Sequence, residues 1–169
     1  MKKVTNKIGL ILTAFLMFGC AGGVQPYTFN VRVDKVYKDA SIEVNVIGVN
    51  SLEMPRFADM SVSDYWKPNN EIRTSENPPK VKFQFPTTDR AILSKESSIW
   101  HSWFGRDVEH IVFIADLPGV YEDRQGNVDR RRLILPLDSS FWSSLNDEQP
   151  IVIEITPQGI TSNPHVKLD

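Results

Sequence analysis

Apolar and polar residues alternate strictly across residues 27–34, and this alternation narrows the possible folds more than any other feature of the chain. Tyr27, Phe29, Val31 and Val33 take one parity and Thr28, Asn30, Arg32 and Asp34 the other. Successive side chains of a strand point to opposite faces, so this spacing describes a ribbon with one face on a core and one in water. The period returns after Lys38-Asp39-Ala40, where Ile42, Val44 and Val46 alternate with Ser41, Glu43 and Asn45. The closeness of the two runs predicts an antiparallel hairpin. A third run, Val81, Phe83 and Phe85, is opened by Pro78-Pro79 and closed by Pro86. Residues 111–115 (IVFIA) are apolar without alternation, the pattern of a strand buried on both faces. Leu133-Ile134-Leu135, residues 151–155 and, past Pro157-Gln158-Gly159, residues 159–166 complete six or seven expected strands. Proline and glycine punctuate them throughout, which argues for a β-sandwich.

Two short helical insertions interrupt the strands. Asn50 followed by Glu53 has the reciprocal spacing of a capping box and predicts a helix over 51–60, with Pro55 confined to its first turn. Residues 63–66 add a turn stopped by Pro68. The second insertion, 94–104, carries Ile99, Trp100, Trp103 and Phe104 as one apolar stripe. A helical turn is also expected at 139–145. The polar, proline-bearing stretch 67–79 reads as a mobile loop.

Ahead of all this stand Lys2, Lys3 and Lys7, then an apolar run from Ile8 to Phe18 and Gly19-Cys20. The run is shorter than the roughly 20 apolar residues that span a bilayer. A basic n-region, an apolar h-region and a small residue before the cut make a secretory signal. Placed directly before the only cysteine of the chain, that pattern resembles the lipobox of bacterial lipoproteins. The resemblance implies a signal peptide over 1–19, acylation of Cys20 with chains such as palmitate, a lipidated tether over 20–26 and a single domain over 27–169. Ala21, where Asp would imply inner-membrane retention, implies the outer membrane, and the periplasmic face is the expected side. Residues 21–26 reach at most about 20 Å at ~3.3 Å per residue, so the domain is expected close to the membrane. A lone cysteine also excludes an internal disulfide and a cysteine metal site. Three of the 19 basic residues precede Cys20 and all 21 acidic ones follow it, leaving the mature domain at net −5. That charge excludes nucleic acid and electrostatic adhesion to anionic lipid.

Nothing in the sequence has the spacing that chemistry requires. His101, His110 and His165 form no metal-ligand pattern, and no Gly-x-Ser-x-Gly elbow exists. Ser97, Ser98 and Ser102 lie near His101 in sequence, and the carboxylate pairs Glu122-Asp123 and Asp147-Glu148 lie in expected loops, where they read as solvated charge. Asp116-Leu117-Pro118-Gly119 reads as a turn after a buried strand. No catalysis, metal or cofactor is expected. Two groups remain for recognition. Arg130-Arg131-Arg132 either meets an acidic partner or a carboxylated polysaccharide, or protects a sheet edge with outward-pointing side chains. Tyr65, Trp66, Trp100 and Trp103 either pack in the core or form a recognition patch, indole faces being suited also to sugar rings. The candidate partner-binding set is therefore Tyr65, Trp66, Trp100, Trp103, Arg130 and Arg131.

The order of these features is similar to that of the TssJ family, the outer-membrane lipoproteins of type VI secretion systems. Residues 41–49 followed by 51–66 resemble the family's strand and helical insertion. Residues 111–116, then Arg131-Arg132-Leu133-Ile134-Leu135-Pro136-Leu137, then 151–155 resemble its C-terminal part. Residues 122–129 and the Trp-rich 99–104 have no counterpart in that pattern. The resemblance implies a transthyretin-like β-sandwich and a non-catalytic scaffold that holds an envelope protein partner. The alternative is a carbohydrate-binding module or an enzyme acting on envelope or extracellular glycan. The sequence says nothing of oligomeric state.

Overall fold

The computed structural model describes residues 23–85, 90–143 and 149–164. The expected signal segment 1–19, Cys20, Pro86, Leu145, Asp147, Glu148, His165 and Val166 lie outside the described residues. Eight strands are present among those described: β1 (Phe29–Val33), β2 (Ile42–Val49), β3 (Lys80–Phe85), β4 (Arg90–Leu93), β5 (His110–Ala115), β6 (Arg132–Pro136), β7 (Ile151–Thr156) and β8 (Gly159–Asn163). They form two four-stranded sheets, β4-β1-β7-β8 and β3-β2-β5-β6, packed as a sandwich. Short helices α1 (Met54–Asp59), α2 (Val62–Tyr65) and α3 (Glu71–Thr74) join β2 to β3, and α4 (Ile99–Phe104) joins β4 to β5.

The expected hairpin of the first two strands is not formed. β1 pairs antiparallel with β4 and parallel with β7, while β2 pairs with β3 and β5 in the other sheet. Alternation reports which face of a strand is buried; it says nothing of the neighbour. β4 carries too few residues to show a period and was not expected as a strand. Part of the expected loop 67–79 is α3, capped by Asn70, whose Oδ1 accepts the Arg73 N–H at 3.0 Å. The described part of 139–145 forms turns rather than helix.

Two cores share the second sheet. Between the sheets, Phe29, Val31, Val44, Val46, Phe113, Leu133, Leu135 and Ile153 are buried together. On the outer face, Ile47, Val49, Val112, Ile114 and Ile134 are covered by Phe57, Val62 and Tyr65 of the helical insertion. β5 is thus buried on both faces, which is why it lacks alternation. The Asn50–Glu53 bonds of the expected capping box form, but they close the turn 51–53, and α1 starts at Met54 rather than 51. Asn50 Oδ1 accepts the N–H groups of Leu52 and Glu53 at 3.1 and 3.0 Å, and Glu53 Oε2 accepts the Asn50 N–H at 3.3 Å. At Gly48 a Cβ would lie 2.7 Å from the Trp103 ring, so α4 can close on β2 only over a residue without a side chain.

The strand directions sort the connections to two ends of the sandwich. The β1–β2 connection, the β5–β6 loop and the β7–β8 turn lie at one end. The start of β1, α4 and the residues after β6 lie at the other. There Val24 forms a bridge with Asp138, and the Ser139 N–H donates to Gly23 O at 3.3 Å. The tether expected over 20–26 is therefore already tied to the body at residues 23–24.

Candidate partner-binding surface

The β5–β6 loop, residues 116–131, is built around a buried guanidinium. Arg131 Nη2 lies 2.7 Å from Asp123 Oδ1 and 2.9 Å from Asp129 Oδ2, while its Nη1 donates to Ser63 Oγ at 3.0 Å. Its guanidinium carbon sits 5.3 Å from the Tyr121 ring centroid. Asp123 reaches onward to α2, accepting from Ser61 Oγ at 2.8 Å and from the Ser63 N–H at 2.9 Å. Partial burial alone would raise the Asp123 carboxyl, but the Ser63 amide, the Ser61 hydroxyl and Arg131 outweigh it and hold the group at about 2. Burial likewise works to raise Asp129, and Arg131 together with the N–H groups of Arg131 and Arg124 lowers it. Asp123 was read from sequence as solvated charge; it is instead the strut between loop and helix.

Arg132 is buried without a carboxylate. Its Nη1 donates to Phe57 O and Met60 O, both at 2.9 Å, and its Nε to Gly126 O at 2.9 Å. The carbonyls left open at the end of α1 thereby gain a cation, an arrangement favoured at helix C-termini. Arg131 and Arg132 are consequently neither partner-facing nor outward edge guards. Only Arg130 of the triplet is exposed.

The aromatic candidates also divide. Trp100 and Trp103 are core residues, meeting edge to face at 5.0 Å and donating their indole N–H groups to Ser94 O and Pro79 O at 2.9 and 2.8 Å. Tyr65 is buried, accepts from Asn45 Nδ2 at 2.9 Å and is pushed by burial up to about 12. Trp66 is half-buried beneath the Arg73 guanidinium, 5.2 Å from its ring centroid. A large apolar ring satisfies its own burial on the nearest core, and these four do so; they form no common face.

What the loop exposes is different. Val120 is fully exposed and Val128 is 65 % exposed. With Tyr121, Glu122, Arg124 and Arg130 they line an open concavity of about 390 Å³. Val36, 63 % exposed on the β1–β2 connection, belongs to the same end. Next to it, burial and a hydrogen bond with Tyr121 push the Tyr37 hydroxyl up to about 12. Sequence reasoning passed over Val120 and Val128. The available signal was their isolation: apolar residues inside a polar, glycine-marked loop have no strand or helix period to bury them. Elsewhere, His101 is exposed on α4 and His110 is half-buried at the start of β5, its imidazole lowered by burial. Among the described residues no group of His, Cys, Asp and Glu could hold a metal ion.

No family model matches the chain, and no curated protein matches it. Solved structures do share its fold, and the class they define is a β-sandwich found in type VI membrane assemblies. A chain described as a type VI membrane complex superposes with a TM-score of 0.54 over 83 % of this chain and 98 % of its own, at 11 % identity. Serratia marcescens Lip, a membrane-bound component of the type VI secretion system, superposes with a TM-score of 0.50 over 80 % and 95 %, at 16 % identity. The resemblance in element order noted from the sequence therefore holds as a likeness of fold.

Proposed function

We propose that the chain is a non-catalytic envelope lipoprotein, acylated at Cys20 in the outer membrane, that holds a protein partner at the β5–β6 end of its sandwich. The observation that carries this reading is polarity. The chain leaves toward Cys20 from one end of the body, and the concavity that Val120 and Val128 share with Tyr121, Glu122, Arg124 and Arg130 opens at the other. A domain anchored so presents that concavity away from its membrane and into the periplasm, toward a membrane-spanning partner. The fold shared with type VI membrane-complex chains supports a secretion-system-like role. Of the residues first considered, Arg130 remains for the partner; its exposed charge beside two valines fits a segment carrying a carboxylate next to an apolar side chain. Trp100 and Trp103 are buried and Trp66 lies beneath Arg73, which speaks against a shared stacking platform for glycan.

The test is capture from intact envelopes. A photoreactive residue at position 120 or 128 is expected to crosslink to one envelope protein. Val120→Asp combined with Arg130→Glu is expected to reduce that protein's recovery at least tenfold without moving the thermal midpoint, both sites being exposed. Undiminished recovery from the double variant would sink the assignment of this surface.

A further inference from the structure

We infer that the opposite end of the sandwich, around Val24 and Phe141, rests directly on a zwitterionic phospholipid surface. The inference builds on the anchor at Cys20 and says how the body sits once anchored. Val24 is bridged to Asp138, and the Ser139 N–H holds Gly23 O. Four residue steps separate Val24 from Cys20, at most about 14 Å at ~3.6 Å each. The polar layer on each side of a bilayer is itself about 5–8 Å deep. However those residues run, Val24 is kept within or just above the headgroups.

Two apolar side chains stand there among small polar ones. Val24 is 43 % exposed and Phe141 is 52 % exposed. Phe141 belongs to the turn that Asp138 begins, its N–H donating to Asp138 O at 3.1 Å. The next residue, Trp142, fixes that turn from beneath. Its indole N–H donates to Pro136 O at 2.8 Å, and its ring lies 5.8 Å from that of Tyr27. A buried tryptophan thus braces a neighbouring phenylalanine that faces outward on the side where the chain meets the membrane. Phenylalanine is among the side chains that membrane-surface segments bury at the headgroup and acyl boundary. Asp138 adds a negative charge to this end. Ser140 holds its carboxyl below the usual range, so it stays ionised and is repelled by an anionic surface. Tethering makes the contact intramolecular, so a single ring and a valine suffice where free protein would not bind.

The experiment uses the full acylated chain in phosphatidylcholine vesicles, with a fluorescent probe on Ser140→Cys or, at the far end, on Val120→Cys. An acylated Cys20 offers no thiol, so each chain takes one probe. A lipid-borne nitroxide is expected to quench the probe at 140 at least threefold more than at 120, and aqueous iodide to do the reverse. Adding Phe141→Ser is expected to bring the 140 signal toward that of 120. Equal quenching at the two sites in chains that float with the vesicles overturns the contact and leaves the anchor standing. Chains that stay behind when the vesicles float, or that take a second probe at Cys20, overturn both.

Discussion

Arg131 and Arg132 are adjacent, both buried, and satisfied in opposite ways, one by carboxylates and one by carbonyls. The difference is measurable through pH. Asp123 and Asp129 titrate below their ordinary values in the folded chain. Depressed carboxyls of this kind contribute stability that is complete above the unfolded value near 3.9 and is lost as pH falls through the folded values. The urea midpoint of the wild type is therefore expected to decline from about pH 4 toward pH 2. Arg131→Met strands the Asp129 carboxylate, and breaking a buried pair costs about 3–5 kcal/mol at neutral pH. Its deficit relative to wild type is expected to shrink as the carboxylates protonate. A gap that stays constant from pH 7 to pH 2 would mean that Arg131 acts through packing. At this scale the triplet's exposure was misread because its counter-charges lie in a loop whose folding back is a tertiary event. Three arginines in a row look alike until Asp123, Asp129 and the carbonyls of Phe57, Met60, Gly126 and Arg124 are placed around two of them.

Among the elements, β6 shows how an edge is closed without another strand. Its outward groups are taken one at a time: the Arg132 N–H donates to Asp129 O at 3.0 Å, and Pro136 O accepts from Trp142 Nε1 at 2.8 Å. Between them the Asn127 side-chain amide imitates a neighbouring peptide, accepting from the Ile134 N–H at 2.6 Å and donating to Ile134 O at 3.2 Å. Unpaired edges invite association, and this one is occupied by its own loop and by Trp142. Asn127→Ala is expected to cost about 1 kcal/mol, the net worth of a typical hydrogen bond. Its more specific mark is hydrogen exchange. The Ile134 amide should exchange at least tenfold faster, while Leu133 and Leu135, whose N–H groups alternate toward β5, keep their protection. Equal acceleration of all three would mean general loosening rather than an opened edge. The strands themselves were largely legible, since β1, β2, β5 and β7 each carry a period or an apolar run. β4 and α3 were not, because four residues hold too little periodicity to read.

For the whole molecule, the helical insertion supplies a second core outside the sandwich. Residues 50–79 cover Ile47, Val49, Val112, Ile114 and Ile134 on the outer face of one sheet. Ile47 already stands opposite Lys80 across the β2–β3 pair, so a short turn could replace the insertion without straining the strands. Replacing residues 51–78 with a Gly-Ser turn is nonetheless expected to abolish soluble expression, because it uncovers a contiguous apolar face. Recovery of a soluble, cooperatively unfolding chain would show that the outer core is dispensable. The same architecture separates the two ends, one tied at Val24 and one open at Val120, and the proposed function rests on that separation.

Period, turn chemistry and the capping spacing are local, so reading residues in order was enough for a mainly β chain, a doubly buried β5 and the Asn50–Glu53 turn that leads into the first helix. The Lys-rich start, the apolar run and Cys20 are local as well, which is why the expected anchor could be written from sequence. Pairing, edges and burial depend on residues far apart in the chain, and no local pattern encodes them. Packing therefore settled that β1 and β2 part into different sheets, that two tryptophans and two arginines turn inward, and that two overlooked valines remain at the tip.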